Sequence, residues 1–314
     1  MIIEETASGT ASVAYRKLGN TGFDVSTIGF GMWQLGGGRW KSASTDSSVA
    51  LLHAALDRGV NVYDAAVVYG QYRDERNYLQ SRAQELLGAA FADRRERVYY
   101  CVKLGQFDEL AHRSLYDPGR IAAQFQQSLR RLRTDYVDIC LIHAPSLHDV
   151  KQGAALAVLK TLQALGLVRA VGYSFENEPA HVFAALEQRV DAIMLQYNLL
   201  DRDCAAALSA AEERGVGILV GGPFKRGYLT GEFLSVEDLP REDHYWEWNV
   251  AKNAGKVQAI LDRVRPLLER YGSPPELRRA ALEFVLAQPV VGSAVIGHRS
   301  LREVDENVAA VAAR

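Results

Sequence analysis

Long apolar runs are missing from this sequence. No stretch of its 314 residues approaches the ~20 apolar residues that a membrane-spanning helix needs. The N-terminal "MIIEETASGTAS" is too acidic and too poor in apolar residues for a signal peptide. Charge of one sign is missing too. Lys and Arg number 36 against 38 Asp and Glu, a formal net charge of −2, so there is no nucleic-acid footprint. Cysteine is scarce: Cys101, Cys140 and Cys204 form no C-x-x-C and pair with no histidine. Cys101 and Cys140 lie in strand-like apolar runs and read as reduced core thiols of a reducing compartment. Glycine-rich phosphate loops are absent as well. Gly29 and Gly31 begin such a run, but Gln34 stands where the third glycine of a dinucleotide fingerprint belongs, and no P-loop occurs. His143 and His148 flank a proline at a spacing without a standard zinc geometry, so no metal is expected. A soluble cytoplasmic protein is the expectation, with no membrane or nucleic acid among its partners.

What is present is 48% hydrophobic residues and 24% charged ones, enough to bury a large core. Short apolar runs alternate with longer amphipathic stretches along nearly the whole chain. Strands are expected at 26–30, 59–64, 97–103, 136–143, 167–174, 191–197, 215–221 and 293–297. Helices are expected at 46–58, about 76–92, 117–132, 150–165, 178–188, 203–214, about 251–288 and about 300–312. Asp117-Pro118 and Ser273-Pro274 place proline at a first helical position, and Ser300 with Glu303 fits a capping box. Strands apolar on both faces, each followed by a helix, imply a parallel sheet covered by helices. Eight such units without a composition break favour a closed (β/α)8 barrel, an α/β fold in one domain over 1–314, over an open doubly wound sheet. Residues 1–14 read as a flexible tail. Residues 15–31 read as a hairpin around Asn20-Thr21-Gly22 that covers one barrel mouth before the first strand. The stretch 235–250, "SVEDLPREDHYWEWNV", reads as a long aromatic loop, functional or disordered.

In a parallel barrel, reactive groups collect where strands end. The second expected strand ends on Asp64, with Tyr69 one short loop further; the third ends on Lys103 and the fourth on His143. Each has a plain alternative: a helix-capping aspartate, a snorkelling lysine, a structural histidine. Together, on three successive strands, they make a coherent set. A free tyrosine, with a pKa of about 10, is a poor proton donor near neutral pH, and a nearby ammonium lowers that value. Asp64 would orient Lys103, and His143 would donate to a carbonyl oxygen as charge develops there. The set suits carbonyl reduction or alcohol oxidation with hydride from an outside source. It suits hydrolysis poorly, because no nucleophile or metal set accompanies it.

"NVYDAAVVYG", "VKLG", "LRRLRTDYVDICLIHAP", "LVRAVGYS", "LQYNLL", "PFKRGYLTGEF" and "SAVIGHRSLREVDEN" together resemble the aldo-keto reductases, in family order from about Tyr15 to Asn307. The resemblance implies a (β/α)8 barrel with an extra C-terminal helix and a nicotinamide cofactor bound without a Rossmann fold. It implies a catalytic tetrad of Asp64, Tyr69, Lys103 and His143, with Tyr69 as general acid/base. It places Ser174 and Gln196 on the nicotinamide carboxamide, and Gly31, Met32 and Trp33 against nicotinamide and substrate. Gly221, Gly222, Pro223, Phe224, Lys225, Gly227 and Leu229 would wrap the pyrophosphate, where glycine backbone with Lys225 and Arg226 makes a plausible anion nest, or else a flexible cationic loop. Gly297, Arg299, Glu306 and Asn307 match the adenosine segment. Arg299 as a partner for a ribose 2′-phosphate favours NADP(H) over NAD(H).

Three positions depart from the family pattern. Phe175 replaces an asparagine, Gly221 and Gly222 replace an aromatic ring that stacks on nicotinamide, and Glu303 replaces a glutamine. The glycine pair is similar to that of aldose 1-dehydrogenases, which oxidise sugars at the anomeric carbon. The segment 71–88 is longer than the usual link, so Tyr72 joins Trp33 and Trp246 as expected substrate contacts. The leading reading is an NAD(P)(H)-dependent oxidoreductase for an aldehyde, ketone or sugar hemiacetal. One alternative is a weakly catalytic cofactor-binding regulator, as potassium-channel β subunits resemble this family; another is a biosynthetic sugar ketoreductase. The sequence leaves oligomeric state open, with a monomer favoured.

Overall fold

The computed structural model describes residues 13–41, 43–108, 113–114 and 116–311. Eight parallel strands close into a barrel: β1 (Ile28–Gly31), β2 (Val62–Ala66), β3 (Tyr99–Leu104), β4 (Val137–His143), β5 (Val168–Ser174), β6 (Ala192–Gln196), β7 (Gly217–Gly221) and β8 (Val291–Gly297). Each pairs with the next in sequence, and β8 pairs with β1 through Ala294↔Ile28 to Gly297↔Gly31. All eight expected strands are there. The second runs two residues past Asp64, to Ala66.

Helices α1 (Thr45–Asp57), α2 (Arg82–Phe91), α3 (Pro118–Leu132), α4 (Leu147–Gln152), α5 (Ala154–Ala164), α6 (Pro179–Leu186), α7 (Ala205–Glu213), α8 (His244–Tyr271), α9 (Pro274–Leu286) and α10 (Leu301–Val311) cover the barrel. The start of α3 is fixed as the sequence predicts: the Asp117 side chain accepts from Arg120 N–H, and Pro118 takes the first helical position. The expected single helix 150–165 is two. Gly153 adopts φ 67, a left-handed conformation that ends α4 and that a side chain disfavours. Gly272 likewise separates α8 from α9 within the expected stretch 251–288.

Two further expectations are corrected. The helix expected from about 76 begins only at Arg82, because 71–73 and 79–81 form an antiparallel hairpin. Asp74 closes the hairpin's turn: its Oδ1 accepts from Arg76 N–H at 3.0 Å and Tyr78 N–H at 2.9 Å, and its amide donates to Tyr78 O at 3.0 Å. The stretch 235–250 is no open loop but a 3₁₀ turn at Val236–Asp238 followed by the first turns of α8. Tyr245 and Trp246 anchor it in an aromatic cluster with Trp33, Trp40 and Tyr228. Of the expected tail, 1–12 lie outside the described residues. Val13 is buried, and Ala14 accepts a hydrogen bond from Thr27 N–H at 2.8 Å. The last expected helix is described to Val311.

The hairpin Tyr15–Lys17/Asp24–Ser26 covers one barrel mouth as expected. Its Leu18, Phe23 and Val25 pack on the inward-facing Val62, Cys101, Ile139, Leu141, Ala170, Met194 and Leu219, sealing that end with apolar volume. Positions an even number of residues further along each strand face inward at the opposite end, by the period of 2. Those positions are Gly31, Asp64, Lys103, His143, Ser174, Gln196, Gly221 and Gly297.

Candidate active site

These inward positions at the strands' C-terminal ends floor a cavity of about 1020 Å³. Its roof is aromatic, built from Trp33, Trp40, Tyr245, Trp246 and Trp248. Trp40 stacks on Tyr245 with ring centroids 4.7 Å apart, and Trp33 meets both rings edge-on at 5.3 Å.

Lys103 and Asp64 sit on neighbouring strands, where the ladder pairs Asp64 with Cys101 and Ala66 with Lys103. That register brings Lys103 Nζ to 2.8 Å from Asp64 Oδ2, both side chains almost fully buried. The ammonium also lies 3.6 Å from Met194 Sδ and 4.9 Å from the centroid of the Tyr69 ring. Tyr69 is delivered by the turn after β2. Its amide donates to Ala66 O at 3.0 Å, and Gly70 follows at φ 63, packed so closely on Gly36 that an added Cβ would meet Gly36 O at 2.0 Å. The Tyr69 ring stands edge-on to His143, with centroids 5.8 Å apart. The backbone at the end of β4 is held from behind, since the Tyr116 hydroxyl lies 2.6 Å from the carbonyl oxygens of both His143 and Ala144 and its one proton is shared between them.

Burial and charge set the protonation states. Burial pushes the Tyr69 pKa up; the Lys103 charge pulls it down and Asp64 pushes it up, and the outcome is above the ordinary value of 10.0. Lysine lowers the tyrosine as the sequence predicts, but desolvation outweighs it. Burial opposes the Lys103 charge, yet Asp64 and Tyr69 favour it more strongly, so its pKa is raised and it stays an ammonium. Burial, then the Lys103 charge, hold His143 well below its usual 6.5, which keeps it neutral.

The cavity brings together Gly31, Trp33, Asp64, Tyr69, Lys103, His143, Ser174, Gln196, Gly221, Gly222, Pro223, Phe224, Gly227, Trp246, Gly297 and Arg299. It does not bring in the other nominated residues. Met32 and Leu229 are fully buried in the core. Lys225 Nζ is held by Asp201 at 2.5 Å. Glu306 faces Arg278 at 3.3 Å, and Asn307 is buried in α10. Tyr72 stands outside on the 71–81 hairpin, where its hydroxyl donates to Glu85 at 2.9 Å. Arg226 and Arg299 line the cavity but are paired as well, to Glu176 at 3.1 Å and to Asp243 at 2.5 Å. Tyr245, within the aromatic stretch that the sequence offers as a sugar platform, does line the cavity; sequence reasoning missed Trp40, Met194 and Asp243. Met194 was within reach, two residues before Gln196 on one strand face; the others depend on loops whose meeting no local pattern announces.

The departures from the family pattern have visible consequences. Phe175 lines the cavity and stacks on Tyr173 at 5.6 Å, spending its surface on core contacts. A Cβ on Gly221 would meet nothing closer than Met194 Sδ at 3.6 Å, so the floor is open where a ring would stand. Among the described residues, no group of three or more His, Cys, Asp or Glu is placed to hold a metal ion, and no helix is long and apolar enough to cross a membrane.

Comparison with known proteins agrees with this architecture. The Escherichia coli (strain K12) NADH-specific methylglyoxal reductase is 28% identical over 94% of this chain and 92% of its own length. L-galactose dehydrogenase of Arabidopsis thaliana is 27% identical over 95% of this chain and 88% of its own. The holo form of aldo-keto reductase AKR11C1 from Bacillus halodurans superposes with a TM-score of 0.75 at 26% identity, covering 96% of this chain and 92% of that one. The sequence signature of the Aldo/keto reductase family matches residues 27–314, nearly the whole chain, and the chain belongs to that family of nicotinamide-dependent oxidoreductases.

Proposed function

We propose that this chain transfers hydride between a nicotinamide dinucleotide and a small carbonyl compound or sugar hemiacetal, with Tyr69 as the proton donor and acceptor. The observation that carries this reading is the closed set at the cavity floor: Tyr69 between a buried Lys103–Asp64 pair and the His143 ring. The cavity, about 1020 Å³, is at the upper end of ordinary ligand sites and has room for a dinucleotide beside a small substrate. Its floor fits the group. Ser174 and Gln196 present polar side chains, Gly221 and Gly222 leave the backbone open to close approach, and the Gln34 side chain lies against Gly297. When bound, the dinucleotide supplies or receives the hydride.

The chain's own residues do the rest. A substrate carbonyl seated beside Tyr69 accepts a hydrogen bond from the phenol and one from neutral His143. As negative charge grows on the carbonyl oxygen, the phenol proton moves to it, and the fixed Lys103 ammonium stabilises the phenolate left behind. Asp64 keeps that ammonium charged and in place. The aromatic roof excludes water and offers apolar faces to a carbon skeleton. A sugar hemiacetal is favoured among larger substrates by the open floor at Gly221. The related methylglyoxal reductase and L-galactose dehydrogenase bracket this size range. The test is cofactor turnover by the purified chain against aldehydes, ketones and sugars in both directions. Tyr69→Phe is expected to keep dinucleotide binding and to lose about 10²–10⁴ in turnover. A Tyr69→Phe enzyme as fast as the parent would overturn the role.

A further inference from the structure

The Arg299 end of the cavity carries two carboxylates, Asp243 and Glu303, beside the Arg299 guanidinium. Asp243, at the start of α8, is fully buried. Its Oδ2 accepts from Arg299 Nη1 at 2.5 Å and its Oδ1 from Lys41 N–H at 2.9 Å. Glu303, which lines the cavity beside Gly297, accepts from the Arg299 amide at 2.7 Å. The guanidinium is therefore paired with Asp243, while Glu303 is held against the backbone of the same residue. The other cations on the cavity wall are committed elsewhere: Arg226 to Glu176, Lys103 to Asp64, and Arg39 with its guanidinium 5.2 Å over the Trp248 ring. Asp243 cannot swing away cheaply. The Tyr245 amide donates to Arg39 O at 2.7 Å, so the segments 39–41 and 243–245 pin one another.

We propose that Asp243 is a specificity-determining residue that makes this cavity prefer NAD(H) to NADP(H). It rests on the dinucleotide reading above, with the adenosine at the Arg299 end. A ribose 2′-phosphate brings a charge of about −1.5 to −2. A phosphate that takes Arg299 Nη1 displaces Asp243 and leaves a buried carboxylate without its ion pair, an arrangement that is strongly unfavourable. With Asp243 left in place, a phosphate on the remaining guanidinium N–H groups meets a cation already neutralised by Asp243, with the Glu303 carboxylate close by. Neutral ribose hydroxyls meet no such conflict, and a carboxylate such as Glu303 can accept from them. Arg299, which the sequence assigns to a 2′-phosphate, instead has its anion built into the chain.

Fluorescence titration of the full chain with NADH and NADPH tests this without turnover. The parent protein is expected to bind NADH at least tenfold more tightly than NADPH. Asp243→Asn, nearly isosteric, is expected to move that ratio at least tenfold toward NADPH, and Glu303→Gln to move it less in the same direction. Tighter NADPH binding by the parent, or an unmoved ratio in a folded Asp243→Asn protein, overturns the inference while leaving the oxidoreductase reading intact. If Asp243→Asn fails to fold, the parent's ratio and Glu303→Gln decide. Binding of neither dinucleotide by folded parent protein overturns the reading beneath it, and the inference falls with it.

Discussion

Each end of the cavity contains an ion pair with a buried carboxylate, and the two pairs are built differently. Lys103 and Asp64 meet because two adjacent strands hold them in register, with side-chain exposures of only 4% and 5%. Arg299 and Asp243 meet because the starts of two helices, distant in sequence, converge; the arginine keeps 37% of its side chain exposed while the aspartate keeps none. At the first end the sheet itself enforces the charge that the proposed proton transfer uses. At the second, loops bring an acid to a base that would otherwise be open to a ligand. A cation in a motif is thus no guide to its availability until its partner is known.

Breaking the two pairs separates them most sharply. Lys103→Met leaves Asp64 buried and unpartnered, and is expected to cost about 3–5 kcal/mol of stability. Arg299→Ala exposes Asp243 to water through the gap it creates, so a smaller cost of about 1–3 kcal/mol is expected. Denaturant melts of both variants measure the difference, and equal losses would mean that strand-held and loop-held pairs are equivalent here.

The chemical end is also the pH-sensitive one. With the Tyr69 pKa above 10.0, the phenol form needed to reduce a carbonyl is present throughout the neutral range. The phenolate needed to take a proton from an alcohol is scarce there and grows with pH. Reduction is therefore expected to be flat between about pH 6 and 8, and oxidation to climb as pH rises toward the tyrosine pKa. Paired pH–rate profiles check this; oxidation that levels off below neutrality would place the proton on another group. The smallest effect belongs to Tyr72, which is away from either end. Tyr72→Phe is expected to change stability by no more than about 0.5 kcal/mol and kcat/KM by less than about twofold.

Much of this was legible in the residues. The barrel strands are apolar on both faces and bounded by turns, so all eight could be read, and period-2 alternation puts Asp64, Lys103 and His143 on one inner rim. What escaped was non-local. Lys225, Arg226 and Arg299 look like free cations in sequence because Asp201, Glu176 and Asp243 lie 24, 50 and 56 residues away. Local competition hid other features. "NYLQSRAQELLG" has helical periodicity, but its beginning pairs with 71–73 across a turn that the Asp74 side chain closes. "HYWEWNV" looks like a loop until Trp33 and Trp40 give its aromatic side chains a face to bury.

The hairpin at 15–26 has one last consequence. By capping the packed barrel interior with Leu18, Phe23 and Val25, it keeps that face dry, and the described cavity lies at the opposite rim, so traffic to it passes through one face of the molecule.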